Sequence, residues 1–158
     1  MNLIVRVKTN FENADELISR IQHVSEANPF IIQAFNPDSI VSENHLIFSA
    51  RHAFKAFAEG RNIADRIENE ILLRTAATRR IDEAIKRVGV KDPKDILLFI
   101  SGKRIYEKGI LKQLDAEKIG LKFGNESEIA KKFGLEKNEN YSLEDLLLEK
   151  IALLELEK

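Results

Sequence analysis

The side chains able to do covalent or metal chemistry are few. There is no cysteine, which excludes a disulfide framework, a thiolate nucleophile and a thiolate metal site. The three histidines are His23, His45 and His52. His45 and His52 are seven residues apart, on one face of a helix, whereas zinc pairs on helices more often stand four apart. No metal and no cofactor is expected. No glycine-rich phosphate loop and no Ser–His–acid pattern is present, so the sequence gives no support to an enzyme. What remains is charge. Between Arg74 and Lys91 six basic residues (Arg74, Arg79, Arg80, Lys86, Arg87, Lys91) meet only Asp82 and Glu83, a local balance of about +4. The stretch from Glu136 onward has the opposite sign. With Thr78 read as a helix cap, Arg79 and Arg80 fall in the first turn, where cations oppose the helix dipole. The same backbone N–H groups favour an anion. Two arginines beside them make a phosphate site.

These residues need elements to hold them. The 158 residues, 44% hydrophobic and 32% charged with net charge −1, fit one soluble globular domain. So small a net charge means that RNA binding needs a local patch. No signal peptide or long apolar run appears, so a cytoplasmic protein with no membrane contact is expected. Leu3, Val5 and Val7 alternate with Ile4, Arg6 and Lys8, predicting a first strand. Asn13 caps a helix with Glu16 at its third position, and Leu17, Ile21 and Val24 form its apolar side. Asn28-Pro29 stops it, and Phe30 to Phe35 reads as a second strand.

A long helix is predicted from about Ser42 to Glu59. Its stripe is Leu46, Ala50, Ala53, Phe54 and Phe57, widened by Ile47, Phe48, Ala56 and Ala58. So broad an apolar surface is either core or covered by a partner. Arg61 to Asn69 reads as a polar helical turn. Glu70 to Thr75, with Ile71, Leu72 and Leu73 in a row, reads as a central strand. Thr78 caps a helix with Ile81, Ala84, Ile85 and Val88 on one face, and Asp95 to Ser101 is a further buried strand. Together these predict a strand–helix–strand crossover. Lys103 to Asn125 is charged, with a possible helix from Ile110 to Leu121. A short helix spans Glu126 to Phe133, ended by Gly134. Ser142 caps a last helix with Leu143, Leu147, Ile151 and Leu154 on its main face. The expected fold is α+β: one domain over 1–158, with a small mixed sheet of about four strands, several helices, and a possible C-terminal helical extension over 126–158.

The stretch from His45 to Val90 resembles the KEOPS complex small-subunit family, whose animal members are called PRPK-binding protein. The residues that carry the likeness are Gly60, Asn62, Ile63, Ala64, Glu70, Ile71 to Leu73, Ile81, Ala84, Ile85 and Gly89. The run from Leu146 to the C-terminus is similar to the ending of archaeal members. The resemblance implies a mixed α/β domain with no catalysis of its own. It implies binding to the kinase-like ATPase of that complex, and through it an indirect link to the threonylcarbamoyl transferase subunit. It also implies binding of the tRNA CCA 3′ end. Archaeal members carry Ser-Gly-x-Arg-Gln-Ile where this chain has Ala76-Ala77-Thr78-Arg79-Arg80-Ile81. The first arginine and the isoleucine match; the serine and glycine have become alanines.

Patch and resemblance fall on the same residues. Arg79, Arg80, Thr78 and Ile81 are therefore the expected tRNA contacts, with Thr78 donating a hydrogen bond, and Arg74 and Arg61 are further candidates. For the kinase-like partner, the expected surface is Ile47, Phe48 and Phe54 of the long helix, then Leu146 and Leu153 of the last. A stand-alone RNA-binding domain, or an enzyme acting on a phosphorylated small molecule, is the competing reading.

Overall fold

Alternation of apolar and polar residues, interrupted by capping residues, sets most of the elements. A computed structural model, describing residues 1–157, has in chain order β1 (Asn2–Lys8), α1 (Ala14–Glu26), β2 (Phe30–Phe35), α2 (Glu43–Ala58), α3 (Ile67–Ala76), α4 (Ile81–Val88), β3 (Asp95–Gly102), α5 (Glu107–Gln113), β4 (Glu117–Ile119), α6 (Glu126–Phe133) and α7 (Leu143–Leu153). Single 3-10 turns cover Pro37–Ser39 and Leu154–Leu156. The α+β expectation holds. The chain forms two compact units, each built from two stretches: Met1–Pro37 with Val90–Lys122, and Asp38–Gly89 with the chain from Phe123 onward.

The first unit is a sheet with helices. Its strand order is β2-β3-β1-β4. Every pairing is antiparallel, so the sheet is not of mixed direction as expected. Val5 lies opposite Leu98 and Val7 opposite Ile96, while Ile32 and Ala34 lie opposite Ile100 and Leu98. Directly opposed residues share a face, so this register gathers all seven on one side. Leu17, Ile21 and Val24 of α1, with Ile110 and Leu114, complete that core. Asn13 caps α1 by accepting from the N–H groups of Asp15 and Glu16. A Cβ at Gly102 would stand 2.8 Å from that of Phe30, so glycine is what lets β2 begin beside β3.

The second unit is helical. α2 packs on α3, α3 on α4, and α7 on both α2 and α3. Here the sequence reading needs correction. Glu70 to Thr75 is not a strand but the body of α3, so the strand–helix–strand crossover does not exist. Ile71, Leu72 and Leu73 are all buried, and a short apolar run does not separate a buried strand from a buried helix. Glu70 and Arg74 stand four apart and pair at 2.8 Å, a helical signal. The fourth strand of the sheet is instead β4, three residues long. The stretch from 61 to 66 is irregular, and α3 begins at Ile67.

Candidate nucleic-acid interface

The basic segment is a turn between two helices. α3 ends in a Schellman arrangement, with the Ala77 N–H donating to Arg74 O at 3.1 Å and the Thr78 N–H to Leu73 O at 3.2 Å. Ala77 itself is left-handed, with φ 55° and ψ 45°. This is the position where the resembled family has glycine, so the glycine-type backbone persists although the glycine is gone.

Arg79 and Arg80 do not occupy the first turn of α4. The helix starts at Ile81, Arg80 stands at the cap position without making a side-chain cap bond, and Asp82 and Glu83 fill the first turn. The expected clash of cations with the helix dipole is therefore absent, and the first turn has the usual acids. Thr78 is 7% exposed. Its hydroxyl accepts from the Arg80 N–H at 3.2 Å and donates to Glu83 Oε2 at 2.8 Å. Its proton is thus committed to Glu83; the residue shapes the turn that presents the arginines.

The Arg80 side chain is 68% exposed and makes only long contacts, 3.4 Å to Asp82 and 3.7 Å to Glu83. Arg79 is exposed and its Nη1 donates to the Glu157 carbonyl at 3.1 Å. Ile81 and Ile85 are 43% and 54% exposed, while Ala84 and Val88 are buried. One edge of α4 is therefore apolar, open and flanked by two guanidinium groups. The spacing of Ile85 from Ile81, Ala84 and Val88 marks one face of a helix and cannot say which part of that face is covered.

Arg74 and Arg61 are not on that open edge. Arg74 is 1% exposed, with Nε 2.8 Å from Glu70 Oε2 and Nη1 bonded to Glu155. Arg61 is paired with Glu59 and with the same Glu155. The hydrogen bond from Arg61 holds the Glu59 carboxyl below its ordinary range, and Glu59 in turn raises the Arg61 guanidinium. The other oxygen of Glu70 accepts from the Ile63 and Ala64 N–H groups, both at 2.7 Å. One buried carboxylate thus fastens the Asn62-Ile63-Ala64 turn to α3. Arg87 also turns inward, donating to Ala76 O at 2.7 Å and standing over the Phe133 ring.

The apolar candidates are spread over two helices. α2 buries Leu46, Ala50, Ala53 and Ala56, with Ser42 as its cap. Phe54, on the stripe and named as a partner contact, is 37% exposed, and Ile47 and Phe48 are half-buried. The Phe48 ring lies 4.6 Å from that of His52. On α7, Leu146 is half-buried and Leu153 is 47% exposed. His45 is buried, its Nδ1 accepting from the Val41 N–H at 3.2 Å and its Nε2 meeting Thr75 O at 2.8 Å. Burial lowers its pKa to about 4. Among the described residues no group of three or more His, Asp or Glu could hold a metal ion. Nor is any helix there long and apolar enough to cross a membrane.

Known proteins are similar to this chain in sequence. The family described as "Kinase binding protein CGI-121" matches residues 9–155. The KEOPS complex subunit Cgi121 of Pyrococcus abyssi (strain GE5 / Orsay) is 32% identical over 100 residues, covering 61% of this chain and 57% of that protein. The chain thus spans little more than half the length of this curated relative.

Proposed function

The chain belongs to the kinase binding protein CGI-121 family, and from that premise we propose that it is a non-catalytic adaptor subunit of a KEOPS complex. It binds the kinase-like ATPase of the complex and recruits tRNA through the CCA 3′ end for threonylcarbamoyladenosine modification. The family description supports the first half, and the name of the similar archaeal protein supports the complex. The observation that carries the RNA half is the open edge of α4. There Arg79 and Arg80 flank a helix start whose cap position supplies no side-chain acceptor, and Ile81 and Ile85 stand exposed beside them. Guanidinium groups and unused N–H donors suit phosphates. The exposed isoleucines offer an apolar surface to unstacked bases, which a single-stranded end presents and a duplex does not.

Exposed apolar atoms of Ile47, Phe48 and Phe54 on α2, and of Leu146 and Leu153 on α7, are the proposed contact with the ATPase. The experiment is a binding titration with tRNA intact and with its terminal CCA removed, using the wild-type chain and the R79E/R80E double variant. Loss of CCA, or of both arginines, should weaken binding at least tenfold. Equal affinities for the two tRNAs remove this mode of recognition. A native pull-down that brings down no stoichiometric kinase-like protein removes the adaptor reading and leaves a stand-alone RNA-binding domain.

A further inference from the structure

Three arginines of this unit are bonded to one short piece of chain. Glu155 pairs with both Arg61 and Arg74, and the Glu157 carbonyl accepts from Arg79 Nη1. The piece is the 3-10 turn Leu154–Leu156 and the residue after it, which follow α7. Its hold is narrow. Leu154 is fully buried, but Leu156 is 76% exposed and Leu153 47%. Its last backbone bond, Glu157 N–H to Leu154 O, is 3.2 Å long.

Resting on the RNA reading above, we infer that this C-terminal turn is an internal competitor for RNA phosphate, and that RNA must displace it to engage the arginines fully. A guanidinium N–H donates to one acceptor at a time. A phosphate arriving at Arg79 meets one N–H, on Nη1, already occupied, with the Glu157 carboxylate on the accepting residue and that of Glu155 two residues before it. Arg74 keeps its Nε and one terminal nitrogen on Glu70 in either state, so only its Nη1 changes acceptor. That leaves the buried charge paired when the turn lifts, which separates this cluster from a buried pair that comes apart with the fold. Arg61 similarly keeps Glu59. The turn thus exchanges one carboxylate for one phosphate at two arginines and frees a third.

The test compares tRNA binding by the full chain as wild type, E155Q, E149Q and R79E/R80E, each over a salt series. Glu149 is an exposed acid of α7, so E149Q measures the effect of removing one negative charge anywhere on the unit. E155Q should bind several-fold more tightly than E149Q, with a salt slope steeper by about one phosphate contact. Should E155Q match E149Q in affinity and slope while R79E/R80E still loses binding, the competitor is overturned and the RNA site stands. Should R79E/R80E bind as wild type, both fall together. Hydrogen exchange on the wild-type chain provides a readout independent of how well E155Q folds. Adding tRNA should speed exchange of the Glu157 amide; slowed or unchanged exchange shows that the turn stays in place and overturns the inference.

Discussion

Ala77 holds a conformation that L side chains reach with difficulty. Its φ of 55° places Cβ against the following carbonyl, and only its small size makes this tolerable. The position is also 5% exposed, so its methyl group is packed. Ala77→Gly relieves the left-handed strain but loses that packing and makes the unfolded chain more flexible. The opposing effects should leave stability within about 1 kcal/mol of wild type. Ala77→Val adds β-branching and volume at the same point, and should cost at least about 2 kcal/mol. Urea denaturation of the two variants checks both figures; a valine as stable as alanine would mean that the left-handed cap is not required. The turn chemistry at Ala77 was only half legible. Thr78 looks like a cap because threonine before a periodic helix usually is one. The Schellman end of α3 fixes Thr78 one residue beyond the cap of that helix and moves the start of α4 to Ile81.

At the scale of elements, α2 and α3 are tied by one neutral imidazole. His45 of α2 accepts from a backbone N–H at one nitrogen and therefore donates from the other to Thr75 O of α3. Protonation would put a second proton where the Val41 N–H points. The folded pKa is lowered by burial to about 4 from 6.5. The unfolded chain thus binds the extra proton first as pH falls. The stability contributed by neutral His45 is fully present above about pH 6.5 and is lost as pH falls toward 4. Between pH 7 and pH 5 this residue alone should remove about 2 kcal/mol. Denaturation curves at the two pH values, for wild type and His45→Gln, isolate it: the variant should lack that part of the pH slope, and equal slopes would refute the assignment. Elements with caps or clean alternation were legible, as with Asn13 for α1, Ser42 for α2, Ser142 for α7 and the whole of β2. α3 was not, because Ile71 to Leu73 are buried all round and erase the period that would mark a helix. β4 was not either, since three residues with two exposed carry no alternation. Of the site, the identity of the arginines could be read from charge alone. Which of them face inward could not, because reading Glu70 as a strand hid its i,i+4 pairing with Arg74, and Glu155 is remote in sequence from both Arg74 and Arg61.

For the whole molecule, the small net charge of −1 makes the two proposed contacts physically unlike. RNA is not attracted by the chain at large, so its affinity comes from a few guanidinium groups and falls with salt. The partner contact uses half-covered apolar side chains, whose burial is insensitive to moderate salt. With about two phosphates neutralised, raising salt from roughly 50 to 200 mM should weaken tRNA binding about tenfold. The same change should leave the complex with the kinase-like ATPase intact. Phe48→Asp should do the reverse, because it places a charge in an apolar contact while leaving α4 untouched. Size-exclusion chromatography of the mixture in both salts, with wild type and Phe48→Asp, reads all four combinations. Loss of both partners in either arm would mean that RNA and ATPase share one surface, and a partner released by salt alone would make its contact electrostatic, with Phe48, Phe54 and Leu153 no part of it.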